Sequence, residues 1–163
     1  MIEILKADLT LPVHADAMVK LMDAYALDAM GGGKSLSDYV KANLSAELLK
    51  RESIHVILAF VDDEPAGLVI AIEGFSTFAC KPLLNIHDLI VVSSYRRKGI
   101  SQLLLQKVEQ IALDLGCCKL TLEVLEGNQV AQSAYKAFGF GGYELNPQMG
   151  KALFGEKKLN GLG

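Results

Sequence analysis

Hydrophobic and polar positions along the chain follow two periods in turn, and the order of the switches predicts a layered α/β fold. Ile2 to Leu5 reads as a short strand. Thr10 and Pro12 open a helix whose apolar side carries Val13, Met18, Leu21, Met22, Tyr25 and Met30, and Gly31 ends it. Ser35 to Asp38 supplies N-cap residues for a second helix through Leu49. Ile54 to Val61 and Ala66 to Glu73, joined by Asp62-Asp63-Glu64-Pro65, predict a hairpin. A loop from Phe75 to Pro82 leads to a strand from Leu84 to Val92. Ile100, Leu103, Leu104, Val108, Ile111, Ala112 and Leu115 then recur at helical spacing up to Gly116. Leu120, Leu122, Val124 and Leu125 mark another strand, and Asn128 to Phe138 a fourth helix. Two last strands are expected at Phe140 to Leu145 and around Ala152 to Lys158. The order predicts a mixed, twisted sheet of six or seven strands with about four helices on its two faces.

Composition narrows the class. The 163 residues fit one domain, 1–163, and with half of them apolar they can bury a full core. No apolar run reaches the ~20 residues of a membrane span, and the start Met1-Ile2-Glu3-Ile4-Leu5-Lys6 lacks the pattern of a signal peptide. A net charge of −3 argues against broad nucleic-acid binding. Cys80, Cys117 and Cys118 form no metal-binding spacing, and an odd, unpaired set fits a reduced cytoplasm. No base stands near any of them in sequence to mark a catalytic thiol. Gly31-Gly32-Gly33-Lys34-Ser35 ends like a nucleotide-binding phosphate loop, but Asp28 stands where that motif needs its first glycine, and a helix precedes it instead of a strand. The triple glycine reads as a flexible joint between the first two helices.

The chemistry is concentrated between Val91 and Ser101. There an apolar strand meets a basic turn, Arg96-Arg97-Lys98-Gly99, and a helix opens at once. A helix N-terminus carries unpaired N–H groups and partial positive charge, which suit a phosphate or pyrophosphate. Gly99 carries no side chain, so an anion can reach the backbone. The order strand, Arg96-x-x-Gly99-x-Ser101, helix resembles the acetyl-coenzyme A loop of the GNAT superfamily of N-acetyltransferases, with Ser101 where that family has Gly or Ala. About thirty residues on, Asn128-x-x-Ala131-x-x-x-Tyr135-x-x-x-Gly139-Phe140 resembles the segment that closes the cofactor site in the same family. Asn128, Ala131 and Tyr135 share a helix face at these spacings. The resemblance is specific from about Asn85 to Phe140. It implies the GNAT fold and acetyl-CoA as cosubstrate, bound by backbone groups of Ile90, Val91 and Val92, by Arg96, Arg97, Lys98, Gly99, Ile100 and Ser101, and by Asn128.

Acetyl transfer to an amine needs positioning, a proton acceptor for the amine and a proton donor for the leaving thiolate. The resemblance makes Tyr135 the candidate acid. The triplet Ile86-His87-Asp88 is similar to a Leu-Glu-Asp-like triplet in the spermidine/spermine acetyltransferase type, which puts His87 at the base position. Imidazole ordinarily titrates near pH ~6.5, so it can accept a proton near neutrality; the other reading is a histidine hydrogen-bonded within the sheet. Asp88 falls on the opposite face of the strand if pairing is regular, and a bulge would change that. The expected acceptor is a primary amine of a small molecule or a peptide, with no nucleic-acid or membrane partner, and a homodimer is expected through edge or C-terminal strands. Two other classes remain. A CoA-binding regulatory module would keep the phosphate loop without catalysis, and a protein-interaction domain would need no such loop.

Overall fold

The computed structural model describes residues 1–142 and 146–159. In chain order these form β1 (Ile2–Lys6), α1 (Pro12–Leu27), α2 (Asp38–Leu49), β2 (Ile54–Val61), β3 (Glu64–Ser76), β4 (Lys81–Val91), α3 (Ile100–Asp114), β5 (Leu120–Leu122) and α4 (Gln129–Phe138). Short 3₁₀ turns stand at Ala29–Gly31, Ser93–Tyr95 and Pro147–Met149. The strands make one sheet in the order β1-β2-β3-β4-β5, antiparallel throughout except for the parallel pair β4–β5.

Strand alternation divides the core between the two sheet faces. On one face Ile57, Ala59, Val69, Ala71, Leu84 and Ile86 pack with Ile100, Leu104, Leu105 and Val108 of α3 and with Tyr135 of α4. On the other, Val56, Leu58, Phe60, Leu68, Ile70 and Ile90 pack with Ala17, Met18 and Leu21 of α1, and Leu44 and Leu48 of α2 join at the margin. The mixed sheet with helices on both faces is as expected.

The strand count differs: five among the described residues. Ala152 to Lys158 has no regular structure, and Leu153 and Phe154 are 96% and 80% exposed. The strand expected at Phe140 to Leu145 is irregular through Gly142, and positions 143–145 lie outside the described residues. For Ala152 to Lys158, β5 is the physical reason. It pairs with β4 through three residues only, Val124 and Leu125 are exposed beyond it, and this short edge offers little ladder for another strand. Gly141, Gly142 and Gly155 further weaken extended pairing. The segment expected as a loop from Phe75 to Pro82 is a four-residue turn, 77–80, between strand ends, since β3 and β4 pair as far as Ser76 and Lys81.

The triple glycine is a pinned joint, not a loose one. Asp23 accepts hydrogen bonds from Ser35 Oγ (2.7 Å) and the Leu36 N–H (2.8 Å), and the Lys34 N–H donates to the Ala26 carbonyl (3.0 Å). A Cβ at Gly31 would sit 1.9 Å from the Tyr25 carbonyl oxygen. The chain therefore folds back tightly on the last turn of α1.

Candidate active site

β4 ends at Val91, and the Val92 N–H still donates to the Ala66 carbonyl (2.9 Å), so the strand is held in the sheet up to the start of the basic turn. Arg97 and Gly99 both adopt left-handed backbone, with φ of 64° and 76°. These two reversals swing the chain directly into α3, anchored by buried Ile100. Gly99 is the N-cap and has no side chain with which to cap. Among the described residues, nothing accepts from the N–H groups of Gly99, Ile100, Ser101 and Gln102. No atom lies within 4 Å of where a Cβ on Gly99 would stand. Unpaired donors, the positive end of a fifteen-residue helix and open space above the backbone together fit a pyrophosphate.

The three basic side chains of the turn differ in their engagement. Arg96 Nε donates to the Val91 carbonyl (3.2 Å), and its guanidinium lies 3.7 Å from the Asp28 carboxylate, tying the turn to the segment after α1. Lys98 Nζ sits 5.4 Å from the centre of the Tyr95 ring. Arg97, among the described residues, has neither an ion pair nor a ring partner and stands exposed.

The centre of β4 is irregular in a way that shapes the site. Ile86 pairs with Ala71 of β3 and Asp88 with Ile70, so His87 is an extra residue in a β-bulge. The bulge reverses the alternation of the strand. Leu84 and Ile86 face α3 and α4 before it, whereas Ile90 faces α1 after it, and Asp88 lies beside Ile70 on the α1 face. His87 is exposed and Asp88 half-buried. Burial pushes the Asp88 carboxyl above the usual carboxylate range, with the neighbouring His87 pulling the other way.

The parallel pairing of β4 with β5 stops at Ile86 and Leu122. From His87 to Val91, β4 has no strand on that side. The two strands thus part beside the bulge and leave a gap in the sheet, next to the N-terminus of α3.

α4 borders this gap. Asn128 caps it by accepting from the Ala131 N–H at 3.2 Å, which leaves its NH₂ group as the donor it can offer a ligand. Gln102 Nε2 donates to the Ala134 carbonyl (3.1 Å) and locks α4 onto α3. Tyr135 is 9% exposed, edge-on to Phe140 at 5.9 Å between ring centres. Burial raises its phenol above the ordinary value, and Tyr25 adds a smaller increment. Tyr25 is itself raised, first by burial and then by Asp88 and Asp28. His87 and Asp88 of β4 stand at the gap, with Tyr135 of α4 in the core on the α3 face and Tyr25 of α1 packed against the core on the other. Tyr25 belongs to the apolar stripe of α1 expected from the sequence. Among the described residues no cluster of side chains is arranged to hold a metal ion.

Comparison with known proteins agrees with this geometry. The sequence profile of the acetyltransferase (GNAT) family matches residues 18–140. A thialysine N-epsilon-acetyltransferase of Caenorhabditis elegans is 30% identical over 132 residues, covering 76% of this chain and 75% of that protein. The Bos taurus protein of the same name is 32% identical over 119 residues, covering 65% and 69%. In fold, the chain is similar to AAC(6')-Iy, solved in complex with the bisubstrate analogue CoA-S-monomethyl-acetylneamine, with a TM-score of 0.76 at 18% identity over 98% of this chain and 99% of that one. The chain belongs to the GNAT family of acetyltransferases, which use acetyl-CoA to acetylate amines.

Proposed function

We propose that the acceptor is a small, cationic primary amine that approaches from the α1 face and is acetylated through the gap between β4 and β5. The gap is the observation that carries the reading. It supports access from both faces of the sheet, with the α3 N-terminus on one side and the Asp88 carboxylate on the other. In this reading the unpaired N–H groups of Gly99 to Gln102 hold the pyrophosphate of acetyl-CoA, Arg96, Arg97 and Lys98 add charge, Asn128 donates its NH₂, and the free edge of β4 at Ile90, Val91 and Val92 orients the rest of the cosubstrate. Bound acetyl-CoA supplies the activated thioester carbonyl. His87 accepts the proton that the acceptor nitrogen loses as it attacks, and Tyr135, held protonated by its buried setting, donates a proton to the leaving sulfur. Asp88 attracts the acceptor's ammonium form to the site.

The relatives support a compact acceptor. The two relatives above are named for thialysine, and the structural neighbour holds an acetylneamine analogue; thialysine and neamine are small molecules that each carry more than one amine. We further assign residues 1–163 to one catalytic domain acting in the cytoplasm as a homodimer. The deciding experiment is acetyl-CoA consumption over a panel of thialysine, ornithine, polyamines, aminoglycosides and peptide N-termini. Turnover with one or more small cationic amines at least ~10-fold above the peptides is expected. Turnover with peptides alone would overturn the acceptor class, and binding of CoA without turnover of any amine would return the chain to a regulatory role.

A further inference from the structure

We propose that Asn85 and Thr121 are positioning residues for acetyl transfer: their side chains clasp β4 to β5 just before the two strands part, and so fix how α4 and its Tyr135 stand relative to His87. The inference rests on the acetyl-transfer reading above and adds two residues that lie outside both family motifs.

Asn85 Nδ2 donates to Thr121 Oγ1 at 2.9 Å, and the two residues stand opposite each other in the parallel ladder. Leu84 and Ile86 lie in the core under α3, with Leu120 and Leu122 packed against it, so strand alternation turns Asn85 and Thr121 to the α1 face. Both are half-buried. The pairing around them is short. It is led in by the Leu84 N–H, which donates to the Lys119 carbonyl (3.1 Å), and it ends at Ile86 and Leu122. His87, the next residue of β4, is the bulge. The clasp therefore ties the middle of a three-pair ladder at the sheet edge, where strands fray most easily, directly beside the gap.

The chain beyond β5 carries the effect of the clasp to the chemistry. Thr121 leads through Leu122 and residues 123–127 to Asn128, the N-cap of α4. This connection is tied to the helix: the Asn128 N–H donates to the Leu125 carbonyl (2.9 Å), and Gln132 Nε2 donates to the carbonyls of Leu125 (3.0 Å) and Glu126 (2.7 Å). A shift of β5 away from β4 is thus passed into the first turn of α4. The helix has a second anchor at Gln102 of α3, which donates to the Ala134 carbonyl. That anchor fixes α4 against α3, whereas the clasp fixes it against β4. With the clasp lost, α4 can pivot about Gln102 and turn the Tyr135 phenol relative to the bulge. A misplacement of about 1 Å in a transfer geometry can cost on the order of 10²-fold in rate. The unpaired N–H groups at the start of α3 lie outside this chain of contacts, so the hold on the pyrophosphate does not depend on it.

Thr121→Val keeps the shape of the side chain and removes the hydroxyl. With thialysine as the probe amine, kcat should fall about tenfold, while the calorimetric Kd for acetyl-CoA stays within about threefold at unchanged stoichiometry. Thr121→Ser restores the hydroxyl and should return kcat to within about twofold of wild type. Asn85→Ala breaks the same bond from the other strand and should match Thr121→Val, and the two changes together should cost no more than either alone. Because the clasp acts through Tyr135, adding Tyr135→Phe to Thr121→Val should cost about tenfold less than the same change costs in wild type. A bond that only stabilises the fold would lower the melting temperature, leave kcat at the wild-type value and give additive losses with Tyr135→Phe. Wild-type kcat in Thr121→Val and Asn85→Ala, or additive losses with Tyr135→Phe, overturns the proposal; if the valine variant does not fold, Asn85→Ala decides by the same readings. Wild-type enzyme that acetylates no amine at all would sink the parent reading and this one with it, whereas normal wild-type turnover beside unaffected variants sinks this one alone.

Discussion

Gly99→Asp is the sharpest test of the phosphate site, because the structure separates its effect on the fold from its effect on binding. Gly99 has φ 76° and ψ 9°, a left-handed conformation that costs an L-residue roughly 1–2 kcal/mol, with Asp among the residues that adopt it most readily. Nothing lies within 4 Å of the new Cβ. An aspartate at an N-cap also regains about 1 kcal/mol by accepting from the first turn. The net change in stability is small, and a shift in Tm of no more than about 4 °C is expected for a chain of this size. Binding is another matter. The carboxylate would occupy the space over the unpaired N–H groups, about 4 Å from a phosphate, where two unit charges repel by about 4 kcal/mol at an effective dielectric of 20. Salt and side-chain rotation reduce this, and about 3 kcal/mol remains, a loss of roughly 10²-fold in affinity. Calorimetric titration with acetyl-CoA reads it directly. Gly99→Ala is the control: it carries the backbone strain without the charge and should lose less than about fivefold. A Gly99→Asp protein that melts near wild type and binds within threefold of it would refute the site. Equal losses in both variants would refute the charge argument and leave close approach of the backbone as the cause.

Tyr135→Phe should lower kcat by roughly 10²-fold with little change in acetyl-CoA affinity, measured by steady-state kinetics and calorimetry. Because burial raises the Tyr135 phenol, the acid stays protonated until pH passes that raised value, so no alkaline loss of rate traceable to it should appear below the ordinary phenol range. If His87 takes the amine's proton, His87→Ala should remove a pH-dependent step from kcat/KM that wild type shows with the same amine between about pH 5.5 and 9; identical profiles would assign His87 to structure. Asp88 has its folded-state carboxyl raised, so the folded protein holds that proton more tightly and stability falls as pH rises from the unfolded carboxylate range through the raised value. Asp88→Asn should therefore melt higher than wild type at pH 7, with the gap closing near pH ~3, where both side chains are neutral. Light scattering at micromolar protein should give a dimer mass; a monomer would remove the homodimer assignment.

Helices and the antiparallel core were legible in the sequence because each rests on a long repeat of a single period. α3 repeats its apolar positions over four turns, and β2 and β3 are continuous apolar runs buried on both faces. The strand expected last in the chain failed for the opposite reason. Ala152 to Lys158 contains apolar residues at suitable spacing, but a strand exists only with a partner, and β5 ends after Leu122. The glycines at 31–33 were legible as a break in α1, whereas their rigidity was not. It comes from Asp23 and from the Ala26 carbonyl, contacts made across a turn whose path no local pattern fixes.

The site divides along the same line. The basic turn and Gly99 could be read directly, since strand, turn and helix are contiguous and the helix end itself supplies the donors. His87 and Asp88 could be named, but not assigned to a face, because one inserted residue reverses every position after it. The reversal is what puts Ile90 in the α1 core and carries Asp88 to the same side. With regular pairing Asp88 would lie under α3 and α4, a charge among Leu84, Ile86 and Leu104, where burial without a partner is costly. The bulge moves that carboxylate to the side where α1 ends and, by shifting β4 next to the point where β5 leaves it, coincides with the opening of the sheet. One extra residue in β4 thus links the gap with the orientation of Asp88. Deleting His87 should then do more than remove an imidazole. It would remove the bulge and restore regular alternation with Asp88 still opposite Ile70 on the α1 face, so a His87 deletion should keep the core pairing and the melting temperature while losing acetyl transfer more completely than His87→Ala, which keeps the bulge.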